Sequence, residues 1–213
     1  MDDEVPSISE TYAYAWGVLR ARFPELLLAA LAWIALSIPS FVLHHQDAGL
    51  QAVLYDALVL APLNFGALAI YLHAARGEPF EIGDLFAAFR GSYATVLAAH
   101  VLFIVLVGAG LGLFVLPGIW IATRLSFVAF LVMDEGESAS GAVRESWRRT
   151  EGHAWRILRL WVVGAILGGV GLLLLGVGVV PAAMWAHVAF AALFARITAA
   201  DRESDDAIVH SLA

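Results

Sequence analysis

Arg124 lies within the apolar run Leu116-Pro-Gly-Ile-Trp-Ile-Ala-Thr-Arg-Leu, seven residues after Pro117. On a helix rising ~1.5 Å per residue, that is about 10 Å from the proline. A charge at the centre of a membrane helix costs roughly 2.5–3.5 kcal/mol on insertion scales, so it is expected to face protein or water. It could receive an anionic group such as a phosphate headgroup, or pair with Asp56 of an earlier apolar run. The structural alternative is an arginine that snorkels to an interface. His100 and His187 occupy two further apolar runs, and His73 lies near the end of another. Histidines in such places relay protons or bind metal; these are scattered singly, without carboxylates at ligand spacing, and read as interhelical hydrogen-bonders. Arg124, Asp56, His187 and His100 form the candidate intramembrane polar site.

A second group lies outside the apolar runs. Between Ser138 and Thr150, Arg144, Arg148 and Arg149 flank a narrow apolar stripe of Ala139, Ala142, Val143, Ser146 and Trp147. Glu145 and Arg149 have the favourable i,i+4 order, and Arg148 and Arg149 stand at the carboxyl end of the helix dipole. These bases would attract anionic lipids at ~1 kcal/mol each, and Arg144, Arg148 and Arg149 are the candidate cytoplasmic surface contact, with a soluble protein partner as the competing reading. His44-His45 with Asp47 could hold a metal but reads as a solvated loop. The chain has no cysteine, no Ser/His/Asp ordering and no HExxH helix, so no catalytic, cofactor-binding or metal residues are assigned and no enzyme is expected. Gly108-x-x-x-Gly112 and Gly164-x-x-x-Gly168 read as helix-packing patterns, not phosphate loops.

What must position these residues is a bundle in a bilayer. Sixty-one percent of the 213 residues are hydrophobic and the mean hydropathy is +0.82, too apolar for one soluble domain to cover with polar surface. The apolar runs predict an all-α integral membrane protein with a single membrane domain over 1–213. Its spans fall at about 26–43, 52–75, 95–115, 117–133, 157–180 and 181–197, with polar tails at 1–6 and 199–213. Three amphipathic segments precede spans one, three and five: one opened by the capping box Ser7-x-x-Glu10, one over 81–92, one over 138–150. The prolines Pro62, Pro117 and Pro181 recur near the starts of the even spans, with Trp120 and Trp185 after two of them as interfacial aromatics. The chain thus reads as three helix-hairpin pseudo-repeats, each a surface helix and two spans.

All twelve basic residues are arginine, and none lies in the loops after spans one, three and five. The positive-inside rule then puts both termini and all three amphipathic helices in the cytoplasm, with the protein in the cytoplasmic (inner) membrane. The start, Met-Asp-Asp-Glu-Val, lacks the basic region of a cleaved signal peptide. No basic stripe with interleaved aromatics exists outside the membrane-flanking segments, which disfavours nucleic acid as a partner.

Three stretches carry a family resemblance: Ser7 to Phe23, Arg76 to Arg90, and Leu116 to Gly152 followed by Trp155-Arg156. The last contains Pro117-Gly118, Arg124, Asp134-Glu135 and the spaced Ala142, Ser146 and Gly152. On these the chain resembles a bacterial and archaeal group of uncharacterised six-span membrane proteins, similar to the membrane domain of glycerophosphoryl diester phosphodiesterases. In the fused members catalysis belongs to a separate soluble domain, so the resemblance implies topology and an undefined membrane role. The expected function is that of a non-enzymatic scaffold, partner subunit or lipid-associated factor, with the bilayer, anionic lipids, a protein partner or further copies of the chain as partners. The alternative is a small transporter or channel with a polar path around Arg124.

Overall fold

The computed structural model describes residues 6–46, 48–173 and 176–212, with 204–212 described by their backbone. The described residues are helical, without strands: α1 Ile8–Ala21, α2 Phe23–His45, α3 Gly49–Tyr55, α4 Ala61–Arg76, α5 Ala87–Arg90, α6 Tyr93–Leu113, α7 Val115–Arg124, α8 Val128–Asp134, α9 Ala139–Arg149, α10 Ala154–Leu173 and α11 Val179–Leu212. Six helical stretches are long and apolar enough to cross a membrane, and they coincide with the six expected runs. Several boundaries move. The fifth ends earlier than expected, at a turn through Gly176, whose φ of 75° suits a residue without a side chain. The tail expected over 199–213 instead continues α11 as helix to Leu212.

Local chemistry explains the breaks. The capping box forms as expected, the Ser7 amide donating to Glu10 at 2.7 Å and the Glu10 amide to the Ser7 hydroxyl. Between α3 and α4, residues Asp56–Leu60 make a π-helical turn just ahead of Pro62. Proline has no amide to offer the carbonyl four residues earlier; that carbonyl, on Leu58, accepts from the Tyr93 hydroxyl of α6 at 3.0 Å. The amphipathic segment expected over 81–92 is a 3₁₀ turn, Ile82–Phe86, followed by the short α5.

The even-numbered apolar stretches make the centre and the odd-numbered ones the outside. In the second, fourth and sixth, 39%, 50% and 44% of an apolar 18-residue window are buried, against 11%, 17% and 17% in the first, third and fifth. Phe127 and Phe130 pack on Phe190 and Phe194, joining the fourth stretch to the sixth. Each amphipathic segment lies on the inner stretch of the preceding unit: the 3₁₀ turn on α4, α9 on α8, and α1 on α11. The order of contacts is therefore cyclic, with α1 closing the ring.

Two packing expectations change. Trp185 does not stand free at an outer edge: its indole donates to the Tyr12 carbonyl of α1 and packs on the rings of Tyr12 and Trp16, as Trp120 packs on Trp155. Gly108, Gly112 and Gly168 approach nothing, and only Gly164 of the two patterns meets a neighbour, Ala186. The close approaches fall instead at Gly66, Gly110–Gly118 and Gly171–Gly178.

Candidate functional site

The four residues expected to share an intramembrane site separate into three places. His100 and His187 come together. They line one cavity of about 260 Å³ where the inner stretches meet, with Asn64 and Phe65 of α4, Ser126 between α7 and α8, and Trp161 of α10. Asn64 and His187 also line a second cavity, of about 230 Å³, walled by Ala30 and Trp33 of α2, Tyr71 of α4 and Met184 of α11. Both volumes far exceed the roughly 10–15 Å³ that one water needs.

Polar groups of this crevice keep hydrogen-bonding capacity that the described residues leave unspent. The His187 Nδ1 donates to the Ala183 carbonyl at 2.7 Å, since a carbonyl only accepts; in the neutral ring this leaves Nε2 as a lone-pair acceptor. The ring stacks on Tyr71 with centroids 5.1 Å apart. The Trp33 indole N–H is buried with no hydrogen-bond partner among the described residues. Asn64 is exposed in the crevice although it lies well inside an apolar stretch. The sequence reading missed Asn64, Trp33 and Tyr71. The available signal was Asn64, an amide alone in the run Ala61 to Ala75.

Asp56 faces elsewhere. It accepts from the Ser40 hydroxyl of α2 and lies 3.6 Å from His44, so the expected pair with Arg124 does not form. His44 is thereby engaged within the bundle's own contacts, and His45 donates to the Phe41 carbonyl; Asp47 lies outside the described residues. His73 approaches Glu78 at 3.9 Å.

Arg124 does not stand at mid-helix, because the fourth apolar stretch breaks there. The helix ends at Arg124 and restarts at Val128, freeing backbone groups that α9 takes up. The Ser146 hydroxyl donates to the Arg124 carbonyl at 2.7 Å and accepts from the Phe127 amide at 3.2 Å; the Thr150 hydroxyl, 2.7 Å from the Ser146 carbonyl, also lies 3.2 Å from the Arg124 carbonyl. Ala142, Ser146 and Thr150 are fully buried, so α9 and the residue after it plug the broken helix, while Gly152 is exposed beyond them. Gly152 ends the following turn with a φ of 77°. Ser146→Ala is expected to destabilise by about 1–3 kcal/mol, the cost of leaving buried polar groups unpaired, measured by thermal unfolding in detergent. A change under about 0.5 kcal/mol, the range of an ordinary surface substitution, would show that the break is held by packing alone.

The three arginines expected as a surface contact also separate. Arg149 is a buried tie, its side chain 10% exposed. It donates two hydrogen bonds to Glu135, both 2.7 Å, and others to Glu145 and Thr198. Arg202 reaches Glu135 at 3.4 Å. The neighbouring acid, Asp134, holds Arg76 of α4 through two hydrogen bonds. Asp134-Glu135 therefore joins α4, α9 and α11. Arg148 bonds Glu145, and Arg144 is exposed.

These features define an all-helical bundle with six apolar helical stretches and a polar crevice at its centre. The chain belongs to a family described as a domain of unknown function (DUF7847), which it matches over residues 65–201. That region begins at the crevice residue Phe65 and takes in the broken helix, α9 and the ion-pair network except Arg202. No curated protein and no solved structure matches the chain. No comparison ties it to the membrane domain of glycerophosphoryl diester phosphodiesterases, so that part of the resemblance is not carried forward.

Proposed function

We propose that this protein is a non-enzymatic, lipid-associated factor of the cytoplasmic membrane that holds an uncharged amphiphile in the Asn64–His187 crevice. Both termini and the three amphipathic segments face the cytoplasm, as three pseudo-repeats of one orientation; the arginine distribution supports this. The outer stretches support insertion, because Leu31, Ile38, Phe41, Ile104, Val105, Val162 and Ile166 are exposed to a degree that only lipid or a partner would cover. The observation that carries the ligand reading is the pair of cavities sharing Asn64 and His187. Their walls are apolar except for a few convergent polar groups, the pattern of small-molecule sites. A donor at Trp33, an acceptor at His187 and an amide offering both suit a carbonyl or hydroxyl head on an apolar chain.

A brominated monoacylglycerol tests this by quenching tryptophan fluorescence of the protein in detergent. Quenching is expected to fall in Trp33→Phe, with Trp161 reporting the remainder, and binding to weaken at least about tenfold, or roughly 1.4 kcal/mol, in Asn64→Leu with His187→Leu. Equal affinity of that double variant and the wild type would overturn the reading.

A further inference from the structure

Arg124 is a buried charged side chain without a counterion among the described residues. It is 7% exposed, and no carboxylate lies within ion-pair distance among the described residues. Its Nε is buried without a hydrogen-bond partner. The nearby acids are spent on other bases: Asp134 on Arg76, Glu135 on Arg149 and Arg202, Glu145 on Arg148 and Arg149. What Arg124 does have is the Trp147 indole, whose ring centroid is 4.8 Å from its guanidinium carbon. A cation–π contact eases desolvation of a cation but leaves its charge unneutralised.

The same indole opens onto a groove. About 390 Å³ of space lies between α6, α7 and α9, lined by Leu106, Ile121, Leu125, Val143, Arg144 and Trp147. Ile121 and Leu125 flank Arg124 on its own segment. Arg144 is exposed and lies three residues before Trp147, one helical turn away on the same face. Arg144 lines this apolar trough, and the buried Arg124 stacks on the Trp147 indole that walls it, an arrangement complementary to a molecule with a chain and an anionic head.

We infer that the groove binds an anionic lipid, its chain along Leu106, Ile121, Leu125 and Val143 and its phosphate between Arg144 and Arg124. The guanidinium fork suits phosphate oxygens, and the phosphate supplies the charge that Arg124 lacks. A free anion would satisfy the arginines but leave the apolar trough empty. The groove adjoins the Asn64–His187 crevice at Leu125, which lines both, but it takes a different head group, and neither reading rests on the other.

The test is native mass spectrometry of the protein released from nanodiscs of phosphatidylglycerol and phosphatidylcholine in equal amounts. The wild type is expected to retain phosphatidylglycerol in preference. Arg144→Gln, a change at an exposed position, should lower that preference about fivefold, the effect of one surface cation. Arg124→Gln should abolish it, and Arg124→Lys, which keeps the charge but loses the fork, should restore part of it. Inorganic phosphate at millimolar concentration should not compete. Equal retention of the two lipids by the wild type, or an unchanged preference in both glutamine variants, overturns the proposal. So does competition by phosphate, which would make the site one for a free anion. Thermal unfolding in detergent reports folding of each variant without reference to the crevice, so failure of the crevice reading and failure of this one are distinguishable.

Discussion

Replacing Arg149 with methionine is expected to destabilise the protein by about 3–5 kcal/mol, the range found when one partner of a buried ion pair is removed. The reason is what remains behind. Glu135 and Glu145, with side chains 16% and 21% exposed, would lose hydrogen bonds that water cannot fully replace. Burial works against the Arg149 charge, but the hydrogen bonds and fields of Glu135 and Glu145 outweigh it and hold the guanidinium protonated. Pairing Arg149→Met with Glu135→Gln should recover part of the loss, because the second change removes an orphaned charge. Unfolding in mild detergent, followed by circular dichroism, measures both. A cost below about 1 kcal/mol would assign the network the weight of a surface pair.

The same network sets an acid limit. The hydrogen bond from Arg148, helped by Arg149 and opposed by burial, lowers the Glu145 pKa from 4.5 to about 2. A carboxyl depressed in the fold contributes stability above its unfolded value and loses it as pH falls through the folded one. Stability should therefore be level near neutrality and decline between pH 4.5 and about 2.

Replacing Gly66 with leucine is the second change expected to have a large effect. A Cβ at this position would strike the Leu85 carbonyl group and come within 2.9 Å of the Asp84 oxygen, both of them backbone. Backbone cannot swing aside as a side chain does, so α4 and the 3₁₀ turn would have to separate. Overpacking of this kind costs typically about 1–3 kcal/mol, and occasionally more. Even Gly66→Ala should destabilise, although alanine in a helix interior ordinarily gains about 0.5–1 kcal/mol over glycine. Gly108→Ala is the control: nothing lies within 4 Å of its added Cβ, so it should stabilise by that ordinary amount. Opposite signs at the two glycines are the expected result, and equal effects would show that α4 and the turn are not in contact.

Much of the architecture could be read from residue order. Apolar runs are counted directly, and the Ser7–Glu10 cap is a local pattern satisfied by neighbours in the chain. The site was legible only in part. His100 and His187 were named together, yet Asn64, between them in the crevice, was passed over because a single amide has no periodicity to mark it. Arg149 was grouped with Arg144 and Arg148 because spacing alone cannot tell a buried face from an exposed one when the covering element, α11, lies 50 residues away.

The sequence by itself determined the helical class, the six apolar stretches and the absence of arginine from alternate loops. These follow from composition and short-range spacing, which the backbone obeys locally. Only the tertiary structure decided that the fourth stretch breaks at Arg124. Nothing in Leu125-Ser126-Phe127 demands it, and the freed backbone groups are held by Ser146 and Thr150 of another helix. It also decided that Asp56 pairs with α2, leaving Arg124 on Trp147 without a counterion among the described residues. Charge pairing depends on which elements meet, and a chain whose acids and bases lie tens of residues apart settles that by packing.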